Sequence, residues 1–428
     1  MNDRLRRRRW TAGGLMGLCL AAVIGMAAVG SASSLASDAH SSAAGFTSRD
    51  LAVAHAYVGG KEGKATLSPI EVGYINNNTG PTAQPYLETA TQNALNLVNN
   101  YLGGIAGHPI KLVSCSFGGT AEQGQECGTE FANNPKIKLV FFPGGTTGGP
   151  QLHAAIAGAK VTLCTVASPP DVDVQNGFCT EGGALATGAI ASYLKDFVDA
   201  KTVSILSIDD PTLESILQGE QQQYAGLGIT ATIGFTDPAA TDVEAPLVAA
   251  NVQTTDATLL EIPLDSPCPA YAKALALLNV KTVISLSTCR AADVEQALGY
   301  IPPWTYFDYG QIAQLPDPTG QMGVFLDAQK AYHDNASGQN ATQTFGTALL
   351  MAKIMNEAGF KHLTTAAMSA KLKAFTGPAF LGDPVLKFGA QPFPSVGSTR
   401  ARFFTYLGNG KWKDATGGKW VSAPPAAG

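Results

Sequence analysis

The residues with the clearest potential for chemistry lie in a glycine-rich loop. Residues 139–150 (LVFFPGGTTGGP) run from an apolar segment through glycines to the start of a helix. Glycines let a ligand approach backbone N–H groups, and a helix N-terminus attracts negative charge. The hydroxyls of Thr146 and Thr147 add hydrogen-bond donors beside Gly145. Without the lysine of a phosphate-binding loop, this set suits a carboxylate better than a triphosphate. The simpler alternative is a tight turn.

Polar side chains also follow the other predicted strands, where open α/β sheets usually bind ligands. These side chains are Asn78, Thr79 and Ser168 in the first half of the chain and Asp209, Thr212, Asp265 and Ser287 in the second half. Taken singly, each is at least as well explained as a helix cap, for which Asp, Ser, Thr and Asn are the favoured types. Taken together, they line one crevice if two lobes face each other, and we predict that they bind a ligand there.

Common signatures of catalysis are absent from the sequence. It contains no G-x-S-x-G, no G-x-x-x-x-G-K-[ST] and no H-E-x-x-H string. A G-x-G-x-x-A string at Gly226, Gly228 and Ala231 follows a helix and leads into a strand, the reverse of the order in dinucleotide-binding proteins. Helix-stop glycines explain it. We therefore expect no catalytic residue, no metal and no cofactor, and we interpret the chain as not an enzyme.

The N-terminus has the order of an export signal. Five arginines precede an apolar run over residues 13–30, and small residues follow. We predict a signal peptide over residues 1–36, or an N-terminal anchor if the run stays uncleaved, since it is nearly long enough to cross a bilayer. Arg8-Arg9 leaves twin-arginine export open beside the general route. The small and polar residues 37–65 predict a flexible tether.

Composition excludes several classes of protein. With 45% apolar residues the chain is too apolar to be disordered. Residues 1–36 carry five arginines and one aspartate, so their removal takes the formal net charge from −5 to −9. We do not expect such an acidic chain to bind nucleic acid. Its 428 residues are enough for two to three domains.

The six cysteines after Cys19 agree with export. An even number of cysteines in an exported chain is typical of disulfide pairing. Six cysteines allow fifteen pairings, and we favour the sequential one, Cys115–Cys127, Cys164–Cys179 and Cys268–Cys289. Metal ligation is the weaker alternative, because no C-x-x-C pair occurs and the histidines are scattered.

Strand and helix patterns alternate from Pro69 onward. We predict strands over 69–75, 110–114, 137–142, 161–165, 202–208, 229–234, 257–262 and 281–286, and helices over 86–101, 121–133, 150–159, 184–198, 212–224, 245–253, 270–278 and 344–358. Short strands over 384–388, 401–407 and 411–414 complete the chain. This alternation predicts an α/β fold with parallel sheets covered by helices on both faces, arranged as two doubly wound lobes.

Residues 70–75 (IEVGYI), the pair Thr79-Gly80 and residues 103–113 (GGIAGHPIKLV) resemble the type I periplasmic-binding-protein family, in its leucine/isoleucine/valine-binding branch. The resemblance covers nearly all of residues 66–420. It implies two parallel-sheet lobes joined by a three-segment hinge, with the ligand between them. The implied crossovers lie near 178–183, 303–309 and 376–381, which assigns 66–182 and 308–378 to the first lobe and 183–307 and 379–420 to the second.

The resemblance also implies roles for particular residues. In that family, hydroxyls after the third and fourth strands hold an amino-acid carboxylate, which are the positions of Thr146, Thr147 and Ser168 here. The family's acidic partner for the ammonium group has no clear match, and Asp209 and Asp265 are the candidates. The implied ligand is a branched-chain amino acid, a related carboxylate or an amide.

The function implied by the resemblance is that of an exported solute-binding protein. Such a protein binds a small-molecule ligand by hinge closure, works as a monomer with an ABC permease in the membrane, and is periplasmic or held at the cell surface. A membrane-tethered ligand sensor of the same fold is the alternative, and retention of residues 13–30 as an anchor would favour it. A secreted hydrolase with a carboxylate pair and a relic that has lost its function are lesser alternatives.

Overall fold

Two parallel β-sheets organise the chain. A computed structural model describes residues 45–76, 78–79, 83–144, 149–290, 292–333 and 340–423. The first sheet has the order β2-β1-β3-β4-β5 and is parallel throughout. Its strands are β1 Ile70–Asn76, β2 Ile110–Ser116, β3 Leu139–Phe142, β4 Val161–Val166 and β5 Gly177–Glu181.

The second sheet repeats this winding and extends it. Its order is β14-β13-β10-β9-β8-β6-β7, with β6 to β10 parallel and β13 and β14 added antiparallel at one edge. Its strands are β6 Thr202–Ile208, β7 Thr230–Thr236, β8 Ala257–Leu260, β9 Val283–Leu286, β10 Thr305–Asp308, β13 Arg402–Gly408 and β14 Lys411–Asp414. A separate antiparallel pair joins β11 Thr376–Gly377 to β12 Leu386–Lys387.

One α-helix of the described residues precedes the first strand, and the others lie between strands along the chain. They are α1 Ser48–Val58, α2 Pro85–Tyr101, α3 Ala121–Asn133, α4 Gly149–Ile156, α5 Thr187–Tyr193, α6 Pro211–Gly226, α7 Glu244–Ala249, α8 Cys268–Leu277, α9 Ala292–Leu298, α10 Gln321–Ala331, α11 Ala341–Ala358 and α12 Thr365–Ala374. Local sequence sets several of these starts. Thr120 and Gln123 form a reciprocal capping box at α3, and the Thr364 side chain accepts from a backbone N–H at α12.

Each sheet carries an apolar core on both faces, as the predicted doubly wound fold requires. In β3, Leu139 and Phe141 join the core on one face, whereas Val140 and Phe142 join the core on the other. In β8, Leu259 and Leu260 divide between the two cores of the second sheet in the same way. No core contains residues of both sheets among the described residues. The two sheets with their helices are therefore two lobes, each with its own interior.

The chain passes between the lobes three times. The first passage follows β5 and the second follows β10. The third lies later than expected. Phe380 and Phe388 are buried in the first-lobe core, and Val396 pairs with Cys179 at the edge of the first sheet. Residues 379–397, which the resemblance assigns to the second lobe, thus pack on the first, and the chain crosses between residues 397 and 401.

The tether expected over residues 37–65 is folded in its second part. The helix α1 packs on the first lobe with Phe46, Ala54 and Val58 buried in the core. Thr47 caps it by accepting from the Asp50 N–H. The expected signal or anchor over residues 1–36 lies outside the described residues. Within the described part of the chain, no helix is both long and apolar enough to cross a membrane.

The structure joins the six cysteines in sequential order. Cys115 pairs with Cys127, Cys164 with Cys179 and Cys268 with Cys289. The first bond ties β2 to α3, and the second ties the neighbouring strands β4 and β5. The third ties the start of α8 to the turn after β9. Each bond thus includes at least one cysteine that lies near the carboxyl end of a strand or in the turn that follows it.

Candidate functional site

The strand order brings most of the predicted site residues to the carboxyl ends of the strands. The direction of winding changes between β1 and β3 in the first sheet and between β6 and β8 in the second. Such switch points open a crevice outside the strand ends. Asn78 follows β1, and Asp209 and Asp265 follow β6 and β8. Ser168 and Ser287 lie one strand further along, after β4 and β9.

Two residues relate the strand ends of the two lobes. Tyr86 lies in the first turn of α2 in the first lobe, and Asp265 follows β8 in the second. Burial raises the pKa of the Tyr86 phenol above its usual range, and the Asp265 carboxylate raises it further. Because this influence acts between side chains that are close in space, Tyr86 of the first lobe and Asp265 of the second lie near each other.

At the end of β1, one carboxylate holds two asparagines. The Asn76 Nδ2 donates to Glu88 Oε2 at 3.0 Å, and the Asn78 Nδ2 donates to the same oxygen. The Asn78 backbone N–H donates to Asn76 Oδ1 at 3.0 Å. The Asn78 Oδ1 is buried and has no hydrogen-bond partner. Asn78 therefore presents an acceptor that is free, whereas Thr79 is exposed.

At the end of β4, a buried aspartate holds the predicted ligand residue Ser168. The Ser168 N–H and hydroxyl lie 2.8 and 2.6 Å from Asp171 Oδ2. The Asp171 Oδ1 lies 2.5 Å from His153 Nε2, on α4. The side chains of His153 and Asp171 are only 10% and 1% exposed. Ser168 is thus both a helix cap, as the simpler interpretation has it, and a half-buried group beside the crevice.

Other predicted contacts lie outside what the structure describes. Gly145, Thr146 and Thr147 belong to the segment 145–148, which is not among the described residues. The loop enters this segment from Gly144 and leaves it at Gly149, the first residue of α4. Thr212 lies in the first turn of α6, but its side chain is not described. The role of these four residues remains a prediction.

The acidic residues after β6 and β8 differ in environment. Asp209 is exposed, and its N–H donates to the Thr236 carbonyl at 2.7 Å. The Asp210 Oδ1 accepts from the Leu213 N–H at 3.1 Å, so Asp210 is the cap of α6. Burial raises the pKa of Asp265 to about 6, and the nearby Asp293 carboxylate adds to this rise. A half-buried carboxyl with such a pKa is typical of functional clefts.

Ser287 is occupied by the hinge and not by the crevice. Its hydroxyl donates to Asp308 Oδ2 at 2.5 Å, and both residues are buried. The Asp308 Oδ1 accepts from the N–H groups of Tyr309 and Gly310 and from the Gln343 amide. Asp308 ends β10, where the chain leaves the second lobe, so this network braces the second passage. While that bond is made, the Ser287 hydroxyl can contact a ligand only as an acceptor.

Buried carboxyl groups mark all three passages. Glu181 ends β5, Asp308 ends β10, and Asp383 follows β11 in the segment that leads to the third passage. Asp383 forms an ion pair with Arg400, whereas Glu181 Oε2 has no hydrogen-bond partner. Burial raises the pKa of Glu181 well above its usual range, and the Asp308 and Asp383 carboxylates raise it further.

A second buried acidic group lies directly after β8. Burial raises the pKa of Glu261 to about 7, and burial together with the Glu261 carboxylate raises that of Glu220, on α6. The Glu261 carboxylate adds to the rise at Glu220 because neighbouring carboxylates resist double ionisation. Tyr309 lies near both of them, at the second passage.

Sequence reasoning missed Glu88, Asp171 and His153, the residues that orient the polar side chains of the first lobe. One signal was available for Asp171. Ser168 and Asp171 have the spacing of a capping box, a hydroxyl followed three residues later by an acid. Nothing in the sequence pairs His153 with Asp171, because that contact depends on the packing of α4 beside the turn after β4.

Comparison with known proteins identifies a family for this fold. The sequence profile described as "Periplasmic binding protein" matches residues 69–391. A comparison with curated proteins finds no significant match. Many solved structures match, and each of the three that follow is under 20% identical to this chain, so the likeness concerns the fold alone.

Three of these structures illustrate the range. The branched-chain amino acid transporter substrate binding protein LivJ from Streptococcus pneumoniae, in complex with isoleucine, is 18% identical with a TM-score of 0.65 and covers 81% of this chain and 98% of its own. A solute binding protein of an ABC transporter from R. palustris, in complex with 4-hydroxybenzoate, is 14% identical with a TM-score of 0.67, at 83% and 96% coverage. The fatty acid ABC transporter substrate-binding protein from Thermomonospora curvata is 16% identical with a TM-score of 0.65, at 85% and 94% coverage.

Proposed function

Because the chain belongs to the periplasmic binding protein family, of type I, we propose that it is the extracytoplasmic solute-binding protein of an ABC importer. It binds a small polar metabolite between its two lobes and works as a monomer. The observation that carries the proposal is the match of the periplasmic binding protein profile to residues 69–391, and the two lobes with separate cores and polar strand ends support it.

The mechanism follows from the connection between the lobes. Lobes that share no core and meet through three chain passages can move as rigid bodies about those passages. A ligand held by polar groups of both walls stabilises the closed form, because it has more contacts there than in the open form. The membrane permease then recognises the closed form. No step of this cycle breaks a covalent bond in the ligand, so the proposal includes no catalysis.

The ligand class proposed at this level is broad. It comprises branched-chain amino acids, related carboxylates and amides, since a few polar groups fix such ligands in an otherwise apolar cleft. The similar proteins named above carry isoleucine or 4-hydroxybenzoate in their structures, or are named for fatty acids. Those ligands span both donor-bearing molecules and simple carboxylates.

The location proposed is outside the cytoplasm. The basic, apolar and small-residue order of residues 1–36 supports export, and disulfides persist in oxidising compartments. The three disulfides of the folded part agree with that environment. Cell fractionation with an antibody to the second lobe would test the location, and cytoplasmic protein with free thiols would contradict it.

Native mass spectrometry of the full chain, expressed in an exporting host under oxidising conditions, tests the function. We expect one small molecule per chain, or stabilisation by one compound class in a thermal-shift panel of amino acids, carboxylates and amides. A ligand at a hundredfold excess over Kd stabilises the folded state by about 2.7 kcal/mol. An empty protein that no compound stabilises would contradict the proposal. If the protein binds a ligand but deletion of its gene leaves cellular uptake of that ligand unchanged, a sensor is favoured instead.

A further inference from the structure

The bonds of Asp171 determine how Ser168 can meet a ligand. An ionised carboxylate is an acceptor only, so each of its three contacts requires a donor. The Ser168 N–H and the Ser168 hydroxyl serve one oxygen at 2.8 and 2.6 Å. The His153 ring serves the other at 2.5 Å. The serine hydroxyl has a single hydrogen, and that hydrogen is used here.

The histidine ring fixes this assignment. The His153 Nδ1 is buried without a hydrogen-bond partner. A buried N–H without an acceptor is costlier than a bare ring nitrogen, so the proton lies on Nε2, where it donates to Asp171. The opposite arrangement, with a protonated Asp171 that donates to Nε2, would leave an N–H at Nδ1 with no acceptor. Asp171 is therefore the acceptor of all three bonds.

The same pattern recurs at the end of β1. Glu88 receives the amide donors of Asn76 and Asn78, whereas the Asn78 Oδ1 is buried and unpartnered. At both strand ends a carboxylate behind the site accepts from the polar residue in front of it, taking the single Ser168 hydroxyl hydrogen and one of the two Asn78 amide hydrogens. The acceptors that remain for a ligand are a lone pair on Ser168 Oγ and the buried, unpartnered carbonyl oxygen of Asn78.

We infer that the first lobe recognises a hydrogen-bond donor on its ligand, an ammonium, amide or hydroxyl group, at Asn78 and Ser168. Asp171, His153 and Glu88 are the positioning residues that set this polarity. This inference rests on the proposed function and narrows it. Amino acids, amines, amides and polyols fit, whereas a carboxylate without any donor does not. The role thus differs from the carboxylate-binding role that the family resemblance implies for Ser168.

The charges of the strand-end connections agree with this preference. By sequence, the segments between each parallel strand and the next α-helix or strand contain the acids Asp171, Asp173, Asp209, Asp210, Asp237, Asp242, Glu261, Asp265 and Asp317. Arg290 is the one basic residue in these segments. It donates to Gln314 and lies over the Trp412 ring. A carboxylate ligand that has neither a positive charge nor a donor group would meet few basic residues in these segments to offset its negative charge.

A test that needs no ligand determines which ring nitrogen of His153 carries the proton. Nitrogen-15 NMR of the full chain labelled at histidine distinguishes the two neutral tautomers. In the native protein we expect His153 to be the Nε2–H tautomer. In Asp171→Ala the acceptor of that proton is gone, so we expect the preference for this tautomer to be lost. A neutral ring with its proton on Nδ1 and none on Nε2 would overturn the inference, because Asp171 would then donate to Nε2 and Ser168 would be free to turn its hydroxyl to a ligand.

A second test compares probes that share a carbon skeleton. Isothermal titration of the full chain with leucine, isoamylamine, isocaproamide and isocaproate, and with benzylamine, benzamide and benzoate, separates donors from acceptors. We expect the donor-bearing probes to bind at least about tenfold more tightly than the matched carboxylate, the effect of one lost hydrogen bond to a charged or buried group. Preferential binding of isocaproate or benzoate would overturn the inference and leave the proposed function standing. No binding by any probe, with an empty protein in native mass spectrometry, would overturn both.

Two variants place the effect on Asp171. Asp171→Asn offers an amide donor to Ser168 and frees its hydroxyl hydrogen, so the preference for donors should fall about tenfold or reverse. Asp173→Asn is the matched control, because Asp173 is exposed, two residues away and carries the same charge. Should Asp171→Asn not fold, Ser168→Ala replaces it, with loss of affinity for amines and amides only. Equal changes in the two aspartate variants would mean a general charge effect and overturn the role of Asp171.

Discussion

Arg400 and the buried Asp383 form an ion pair that spans the third passage between the lobes. The Arg400 Nε donates to Asp383 Oδ2 at 2.6 Å, and its Nη2 donates to Oδ1, in a two-bond geometry. The Ser398 hydroxyl and the Val385 N–H donate to the same carboxylate. Asp383 is 2% exposed and Arg400 27% exposed. The pair closes the loop over residues 383–400, from which the chain enters the second lobe.

Arg400→Met is expected to lower the free energy of unfolding by about 3 kcal/mol, because removal of one partner leaves a buried carboxylate with too few donors. Urea denaturation followed by tryptophan fluorescence measures this loss. The control is Lys201→Met, since Lys201 pairs with Asp199 where both side chains are largely exposed, and such a pair contributes about 0.5 kcal/mol at most. Equal losses in the two variants would contradict the role of burial.

Asp265 gives a pH prediction for ligand binding. Burial and the Asp293 carboxylate hold its pKa at about 6. A donor-bearing or cationic ligand prefers the ionised carboxylate, so binding and ionisation support each other. Affinity for an amine or amino acid should therefore rise with pH up to about 6 and level off above it. Below that pH it should fall by nearly tenfold per unit, the limit for one proton.

Two variants separate Asp265 from other groups that titrate in this range. Asp265→Asn should weaken binding at neutral pH and remove the midpoint near pH 6. Asp293→Asn should keep binding and move the midpoint to lower pH, because the exposed Asp293 charge no longer raises the pKa of Asp265. Titration calorimetry at several pH values measures both effects. A midpoint that survives in Asp265→Asn would assign the dependence to another residue.

Periodicity was sufficient for the layered part of the fold. The strand over 202–208 and the helix over 121–133 match β6 and α3 end to end, because apolar residues recur there with the period of their element. The strand β5 was missed, since Gly177 and the polar pair Thr180-Glu181 interrupt its apolar pattern. Glu181 is buried in spite of its charge, and burial of that kind depends on tertiary packing that the sequence does not display.

The candidate site was harder to predict from the sequence than the fold. Residue type and strand-end position selected Asn78, Ser168 and Asp265, which follow the carboxyl ends of β1, β4 and β8 in the structure; their contact with a ligand stays a prediction. The direction of their hydrogen bonds was not accessible, because it is set by Glu88 on α2 and His153 on α4, far from their partners in sequence. The bond of Ser287 to Asp308 was hidden for the same reason.

Two glycines in helices give opposite predictions for the same substitution. In α11, a Cβ at Gly346 would lie 2.0 Å from the Phe380 carbonyl oxygen, so the backbone of the 379–383 segment must move. Gly346→Ala should therefore lower the free energy of unfolding by about 2 kcal/mol or more. In α6, a Cβ at Gly219 meets nothing within 4 Å. Gly219→Ala should raise stability by about 0.5 to 1 kcal/mol, the difference in helix propensity.

Thermal and urea denaturation of the two alanine variants measure this contrast. Each substitution adds one methyl group in the interior of a helix, so propensity favours both equally. The difference between them isolates the close approach of α11 to the segment that holds Phe380, at the first-lobe end of the third passage. A stabilising Gly346→Ala would mean that this approach is looser than the structure has it.

Glu181 predicts a pH dependence of stability with a definite sign. Burial, and then the Asp308 and Asp383 carboxylates, raise its folded-state pKa well above the ordinary 4.5. Between that value and the folded pKa, the folded state holds one proton more than the unfolded chain. The free energy of unfolding therefore falls as pH rises, with a slope of up to about 1.4 kcal/mol per pH unit from this group. The stability that protonated Glu181 provides is present at low pH and is lost as the pH rises through the folded-state pKa.

Glu181→Gln keeps the size of the side chain and removes its titration. We expect the variant to gain stability relative to the native chain as pH rises from 5 to 8, with a flatter profile in urea titrations. Glu126→Gln, on the exposed face of α3, is the control and should leave the profile unchanged. Glu181 ends the strand that leads into the first passage. Any opening there that exposes the native carboxyl to water should therefore be less favourable in the variant. Parallel profiles for Glu181→Gln and the native chain would mean that Glu181 is ionised in the folded state, with a donor that the hinge supplies.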